Sequence, residues 1–323
     1  MRVLVTGGSG FIGRYLVGRL SGEGIEVANL DIQEPQAPDQ RRQWTPGSIL
    51  DRAALLGIFA GFKPTHVVNL AAEINMDGKS VADYPTNTRG VANLMEAVAL
   101  SPATERVIVA SSQHVRRPGS PPPANDRDFA PYLHYGESKV MAEETTRSAN
   151  LGCTWCIIRP TNVWGLHNAA LEDGVWRLIY KGLYFHPSND PVVRGYGYVK
   201  NVAWQIEQLL RADPGAIEGR VFYVGDDNSR QLDWVNGFAR ELTGRDVRTL
   251  PLALIRALSL CGDVLGACGV RFPIYASRLS NMTTSNPVPM EPILKLLGPP
   301  PYSIADGIRE TAAGLRETYR AKG

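Results

Sequence analysis

Cysteine is scarce. Four cysteines in 323 residues are too few for a disulfide framework. Cys153 and Cys156 do form a C-x-x-C, but Cys153 to Ile158 reads as a buried strand, in which residues three apart face opposite sides and cannot share a metal ion. No metal site is expected. An excess of one charge is also missing: 34 Lys and Arg face 32 Asp and Glu, a net of +2 with no run of five like charges, which excludes a nucleic-acid footprint. Long apolar runs are absent too. The most apolar stretch, Leu252 to Phe272, is interrupted by Arg256, Asp263 and Arg271 and falls short of the roughly 20 residues of a spanning helix. It reads as a buried or substrate-facing helix, so no membrane insertion is expected. Met1 leads straight into Val3-Leu4-Val5 with no secretory pattern, and a cytoplasmic location is expected. With 44% hydrophobic and 20% charged residues, the composition is that of an ordinary globular protein.

The first 165 residues alternate strand-like and helix-like patterns. Strands are expected at Arg2 to Thr6, Ile25 to Leu30, His66 to Leu70, Arg106 to Ala110 and Cys153 to Ile158. Helices fit at Phe11 to Ser21, Arg52 to Ala60, Asn87 to Ala99 and Tyr135 to Ala149. That alternation predicts an α/β fold with a doubly wound parallel sheet of the Rossmann type. After Gly165 the regularity fades, and a smaller C-terminal α/β substrate domain is expected. The boundaries are 1–165 and 199–228 for the dinucleotide-binding domain, and 166–198 and 229–323 for the second.

Thr6-Gly7-Gly8-Ser9-Gly10-Phe11-Ile12-Gly13 follows a predicted strand and opens a predicted helix. Glycines there permit a tight turn and close backbone approach, and the helix N-terminus offers N–H groups to a pyrophosphate. The second strand ends near Asp31, 24 residues beyond Gly7, where a carboxylate accepts from a ribose diol and repels a 2′-phosphate. Asp31 favours NAD, while Arg14 after the last glycine leaves NADP open. Tyr135 and Lys139 are four apart on one helix face, an arrangement in which an ammonium favours the phenolate and lowers the tyrosine pKa. Ser111 and Ser112 end a strand at the carboxyl edge of the sheet, where ligands bind in such folds.

These residues, together with Asp51, Asn69-Leu70-Ala71-Ala72, Asn87-Thr88-Arg89-Gly90 and Arg159-Pro160-Thr161-Asn162-Val163-Trp164-Gly165, resemble those of one family over nearly the whole chain. It is the extended short-chain dehydrogenase/reductases of the NAD-dependent epimerase/dehydratase type. The resemblance implies that Ser112, Tyr135 and Lys139 are catalytic. It implies that Gly7, Gly10, Phe11, Ile12, Gly13, Asp31, Asp51, Leu70, Ala71, Ala72, Tyr135, Lys139 and Pro160 hold NAD. Ser112, His114, Asn162, Arg194 and Arg278 would then face the substrate, the arginines as forked donors to phosphate.

Departures from the family pattern narrow the activity. Gln113 and His114 stand where its dehydratases carry Asp-Glu and its decarboxylases a Glu, which argues against dehydration and decarboxylation. A member that both epimerises and reduces 4-keto sugars uses a Cys and a His; here those positions hold His114 and Val175. The leading expectation is an NAD-dependent nucleotide-sugar epimerase or related 4-keto-sugar oxidoreductase. Two alternatives stay open. One is a dehydrogenase of a hydroxysteroid-like or other apolar alcohol or ketone, suggested by Leu250 to Phe272; the other is a non-catalytic cofactor-binding protein, since fold does not fix function. The family resemblance also implies a homodimer through the helices Asn87 to Ala99 and Tyr135 to Ala149.

Overall fold

The computed structural model describes residues 1–188, 191–267 and 276–321. Its first compact unit comprises Met1–Val163, Gly197–Asp226 and Pro289–Pro301; the second comprises Trp164–Tyr196, Asp227–Val288 and Tyr302–Gly323. Residues 289–301, assigned by sequence to the second domain, cluster with the first because the helix Glu291–Leu297 packs on that unit's last strand.

Seven strands form the sheet of the first unit: β1 (Arg2–Thr6), β2 (Glu26–Asp31), β3 (Trp44–Pro46), β4 (His66–Asn69), β5 (Arg106–Ala110), β6 (Thr154–Pro160) and β7 (Arg220–Val224). Their order is β7-β6-β5-β4-β1-β2-β3, and every adjacent pair is parallel. The chain leaves β1 toward β2 on one side and returns to β4 on the other, so the crevice between β1 and β4 is the switch point where such sheets bind ligands. Five helices flank the sheet: α1 (Phe11–Gly22), α2 (Arg52–Phe62), α3 (Val91–Ala99), α4 (His134–Ser148) and α5 (Val199–Arg211).

Near-continuous apolar runs such as Val3-Leu4-Val5 and Val107-Ile108-Val109 are what a sheet covered on both faces requires. Their alternate residues feed two cores. Leu4, Val67, Val107 and Val109 pack with Leu55, Leu94, Met95 and Ala142, side chains drawn from α2, α3 and α4. Helices α1 and α5 pack against each other as the other layer. The expected helix from Asn87 becomes regular only at Val91, because residues 86–90 form a wide turn closed by Gly90 N–H donating to the Pro85 carbonyl (2.9 Å).

In the second unit, strand Val193–Tyr198 pairs antiparallel with Asp227–Arg230, and Phe185–Ser188 pairs in parallel with Arg248–Pro251. Its core is aromatic: Trp234 stacks on Tyr196 (4.9 Å, 9°) and meets Trp164, Trp176 and Phe238. Leu252–Ala267 is a helix whose buried side is narrow, Ile255, Ser259 and Gly262, while Leu254, Leu260 and Val264 are exposed. Of the two expectations, a buried or a substrate-facing helix, full burial does not describe this outer face; residues 268–272 of that stretch lie outside the described residues. Among the described residues no helix is long and apolar enough to cross a membrane.

Candidate active site

Two groups of residues meet at the carboxyl edge of the first unit's sheet. The first is the glycine loop between β1 and α1. Gly7 adopts φ +73°, and a Cβ there would lie 2.6 Å from the Ala71 backbone nitrogen, so the loop after β4 can only close on a glycine. A Cβ on Gly13 would strike the Gly7 carbonyl at 2.2 Å, which explains the third glycine as a packing requirement. Gly10 differs: its φ is −71°, and an added Cβ would meet only the Gly7 carbonyl, at 3.2 Å. A methyl group there would need the Gly7 carbonyl to give by a few tenths of an ångström, a milder demand than at Gly7 or Gly13, and the residue caps α1 at an end with no side-chain cap and no acidic residue in the first turn. Such a helix end, with Phe11, Ile12 and Gly13 in its first turn, is a site for a pyrophosphate.

Asp31 ends β2. Its carboxylate accepts from Ser9 N–H (3.0 Å) and Gln33 N–H (2.8 Å), holding it beside the glycine loop. Arg14 instead reaches Gln36 (3.4 Å) on the exposed surface. Asp51 caps α2 by accepting from Ala54 N–H (3.0 Å). Leu70 follows β4 and donates its N–H to the Thr6 carbonyl (2.9 Å), tying Leu70-Ala71-Ala72 to the glycine loop. Pro160 closes β6. The donor end of α1, the Asp31 carboxylate beside it and the open position at Gly10 together fit a dinucleotide.

The second group surrounds Tyr135 at the start of α4. Tyr135 and Lys139 are buried, and Lys139 Nζ donates to the Ala110 carbonyl at the end of β5 (3.1 Å), 6.0 Å from the Tyr135 ring centre. Sequence reasoning expects Lys139 to lower the phenol pKa; here burial dominates and raises it, opposed by a hydrogen bond with Ser112. Lys139 is itself burdened by burial, which brings the ammonium down to about 8, with Glu143 as the opposing influence. Ser112 also accepts from His114 N–H (3.1 Å). The His114 ring lies edge-on to Tyr135 (centroids 6.1 Å) and within 3.5 Å of the Tyr132 hydroxyl at Nδ1. Asn162 accepts from the Gln113 amide (3.1 Å).

Several supporting residues escape sequence reasoning. Tyr84 is buried, packs 6.0 Å from Tyr135 and donates to the Asn75 carbonyl (2.7 Å); its irregular loop has no periodicity to betray it. Asn87 donates to Ser138 (2.9 Å), which donates to the Tyr135 carbonyl (2.7 Å), and so fixes the first turn of α4. Glu143, one turn beyond Lys139, meets Arg159 in a buried two-pronged ion pair (2.8 Å and 2.8 Å). The i, i+4 spacing that marks Tyr135 and Lys139 extends to Glu143, so a signal existed. The Ser111 hydroxyl is buried without a partner.

Arg194 and Arg278 belong to the second unit. Arg194 Nε and Nη2 donate to the Thr284 carbonyl (3.3 Å each), and the Arg278 charge acts on Tyr184. Cys153 and Cys156 are free, and burial pushes their thiols up to about 11 and about 12.

The sequence matches the NAD dependent epimerase/dehydratase family over residues 3–225. The chain belongs to this family. It is therefore an enzyme of a group whose cofactor is NAD. It is 31% identical to a UDP-glucose 4-epimerase of Mycolicibacterium smegmatis over 260 residues, 72% of this chain and 80% of that protein. It is 24% identical to the N-acetyl-alpha-D-glucosaminyl-diphospho-ditrans,octacis-undecaprenol 4-epimerase of Escherichia coli O157:H7 over 317 residues, 96% of this chain and 93% of that protein. The fold matches a UDP-glucose 4-epimerase of Thermotoga maritima solved with UDP-glucose, with a TM-score of 0.74 at 21% identity, covering 99% of this chain and 100% of that one.

Proposed function

We propose that the chain is an NAD-dependent nucleotide-sugar 4-epimerase that inverts a secondary alcohol by transient oxidation. The observation that carries this reading is the buried Tyr135 phenol, hydrogen-bonded with Ser112 and backed by Lys139, at the same sheet edge as the glycine loop. NAD bound there supplies a hydride acceptor that, once reduced, returns the hydride. The chain's own residues manage the proton and the geometry. Gly10 and the first turn of α1 receive the pyrophosphate, Asp31 accepts from the adenosine ribose, and Asp51 lies on the adenine side. Lys139 holds the nicotinamide ribose and favours phenolate at Tyr135. Tyr135 takes the proton of the sugar 4-hydroxyl while Ser112 donates to the same oxygen. When the 4-keto sugar has turned over, Tyr135 returns the proton to that oxygen from the same side chain, so no net redox change results. Asn162 engages the substrate diphosphate, and His114 lines the sugar pocket.

The two 4-epimerases named above, one of a UDP-sugar and one of a diphospho-undecaprenol sugar by name, support a diphosphate-linked hexose as the substrate class. The outward apolar face of Leu252–Ala267 favours a second reading, reduction or oxidation of an apolar alcohol or ketone. Purified protein incubated with UDP- and GDP-hexoses and no added cofactor separates the two. The first reading expects the C4 epimer to accumulate in NMR spectra. Turnover only when NADH or NAD is supplied, with apolar substrates preferred, would sink it.

A further inference from the structure

Helix Leu252–Ala267 is built the wrong way round for a surface helix. At 100° per residue its exposed arc carries Ala253, Leu254, Ala257, Leu260, Cys261 and Val264, with Arg256 at one rim. Leu260 is 67% and Val264 66% exposed, where a surface helix normally shows polar side chains. An apolar arc of this kind marks an interaction surface.

Charge identifies the occupant. The parallel register of Arg248 with Phe185 sets exposed Leu183 beside the loop that carries Arg245 and Arg248, directly before the helix. Arg245, Arg248, Tyr184 and Thr243 line a shallow recess that opens to solvent. The recess also includes Asp246, but its carboxylate is held by Arg240 (2.5 and 2.9 Å). Arg245, Arg248 and Arg256 are exposed and form no ion pair among the described residues. By sequence, 240–278 holds six arginines against three acidic residues, a net of +3, which leaves the rest of the chain at −1. An exposed arginine at the rim of an apolar helical face, with two more in the segment that leads into the helix, matches the phosphates and acyl chains of a bilayer surface, into which such helices sink without crossing.

We propose that the outer face of Leu252–Ala267, with Leu183, Arg245, Arg248 and Arg256, docks the protein onto membranes containing anionic phospholipid. The helix lies in the interface plane; Leu254, Leu260 and Val264 enter the acyl boundary, and the arginines meet phosphate.

The test is co-sedimentation of the full chain with phosphatidylcholine vesicles, with and without phosphatidylglycerol. Binding is expected only with phosphatidylglycerol, falling with added salt and persisting in millimolar inorganic phosphate. Replacing Leu260→Glu and Val264→Glu together should abolish it. Replacing Arg245→Gln, Arg248→Gln and Arg256→Gln should weaken it about fivefold per arginine. All sites are exposed, so both variants should keep the parent Tm and NAD affinity, and the arginine variant carries the test if the other unfolds. Equal binding to both vesicle types, displacement by free phosphate, or unchanged binding by the arginine variant would overturn the proposal. A fall in light-scattering mass on Leu260→Glu and Val264→Glu, without vesicle binding by the parent, would assign the face to a second copy of the chain instead.

Discussion

In the proposed reaction Tyr135 is the residue on which the chemistry turns, and its surroundings set a conflict that bound substrate and cofactor must resolve. Burial raises its pKa, Ser112 opposes that, and Lys139 stands 6.0 Å from the ring centre with its own pKa brought down to about 8. Tyr135→Phe should therefore keep NAD binding and lose turnover by about a hundredfold or more, since it removes only the proton carrier. Steady-state rates beside a fluorescence titration of NAD check both halves. Lys139 gives a sign for pH: it is cationic below its pKa and loses that charge as pH rises through about 8. NAD affinity and turnover should fall above that point, and Lys139→Met should bind weakly with no such dependence. A parent profile flat to well above pH 8 would show that the ammonium does not hold the cofactor. The residues were legible in sequence because their i, i+4 spacing is a geometric statement; the direction of the tyrosine shift was not, because spacing carries no information about burial.

At the scale of elements, three of the four glycines between β1 and the first turn of α1 do different things. Gly7 and Gly13 are excluded from side chains by backbone atoms at 2.6 and 2.2 Å, whereas Gly10 faces only one carbonyl at 3.2 Å. Gly13→Ala should lower Tm. Gly10→Ala should fold normally and bind NAD about tenfold or more weakly, because its methyl intrudes where a pyrophosphate approaches. Differential scanning fluorimetry paired with calorimetric titration distinguishes the two outcomes. Helix α4 is locked from beneath by Glu143 and Arg159, exposed by 0% and 1%. Glu143→Ala leaves the arginine buried and unpaired, and urea unfolding should show a loss of about 3–5 kcal/mol. Apolar periodicity located β1, β5 and α4 to within a residue or two because their faces are uniformly buried. It misplaced the start of α3, where Asn87 is recruited to hydrogen-bond Glu73 and Ser138 rather than to continue a regular helix. It identified Leu252–Ala267 as a helix but not which side meets water, since composition reports only apolarity.

For the whole molecule, the family resemblance points to a dimer through α3 and α4, and the exposed Met141 on α4 is available to it. Multi-angle light scattering at micromolar protein should give twice the 35.3 kDa chain mass, and Met141→Glu should return it to the single-chain value. The parallel sheet with its ligand edge was legible because strand and helix signals alternate through residue 165. The existence of a smaller C-terminal α/β unit was legible too, but not its internal elements, because its strands are short and its core is an aromatic cluster around Trp234 assembled from distant segments. The central claim is that the sugar loses and regains the same hydrogen at C4 within one binding event. Its most direct test is turnover of a nucleotide hexose deuterated at C4, without added cofactor. The account predicts an epimer that keeps its deuterium at C4; deuterium lost to water, or recovered in released reduced cofactor, would contradict it.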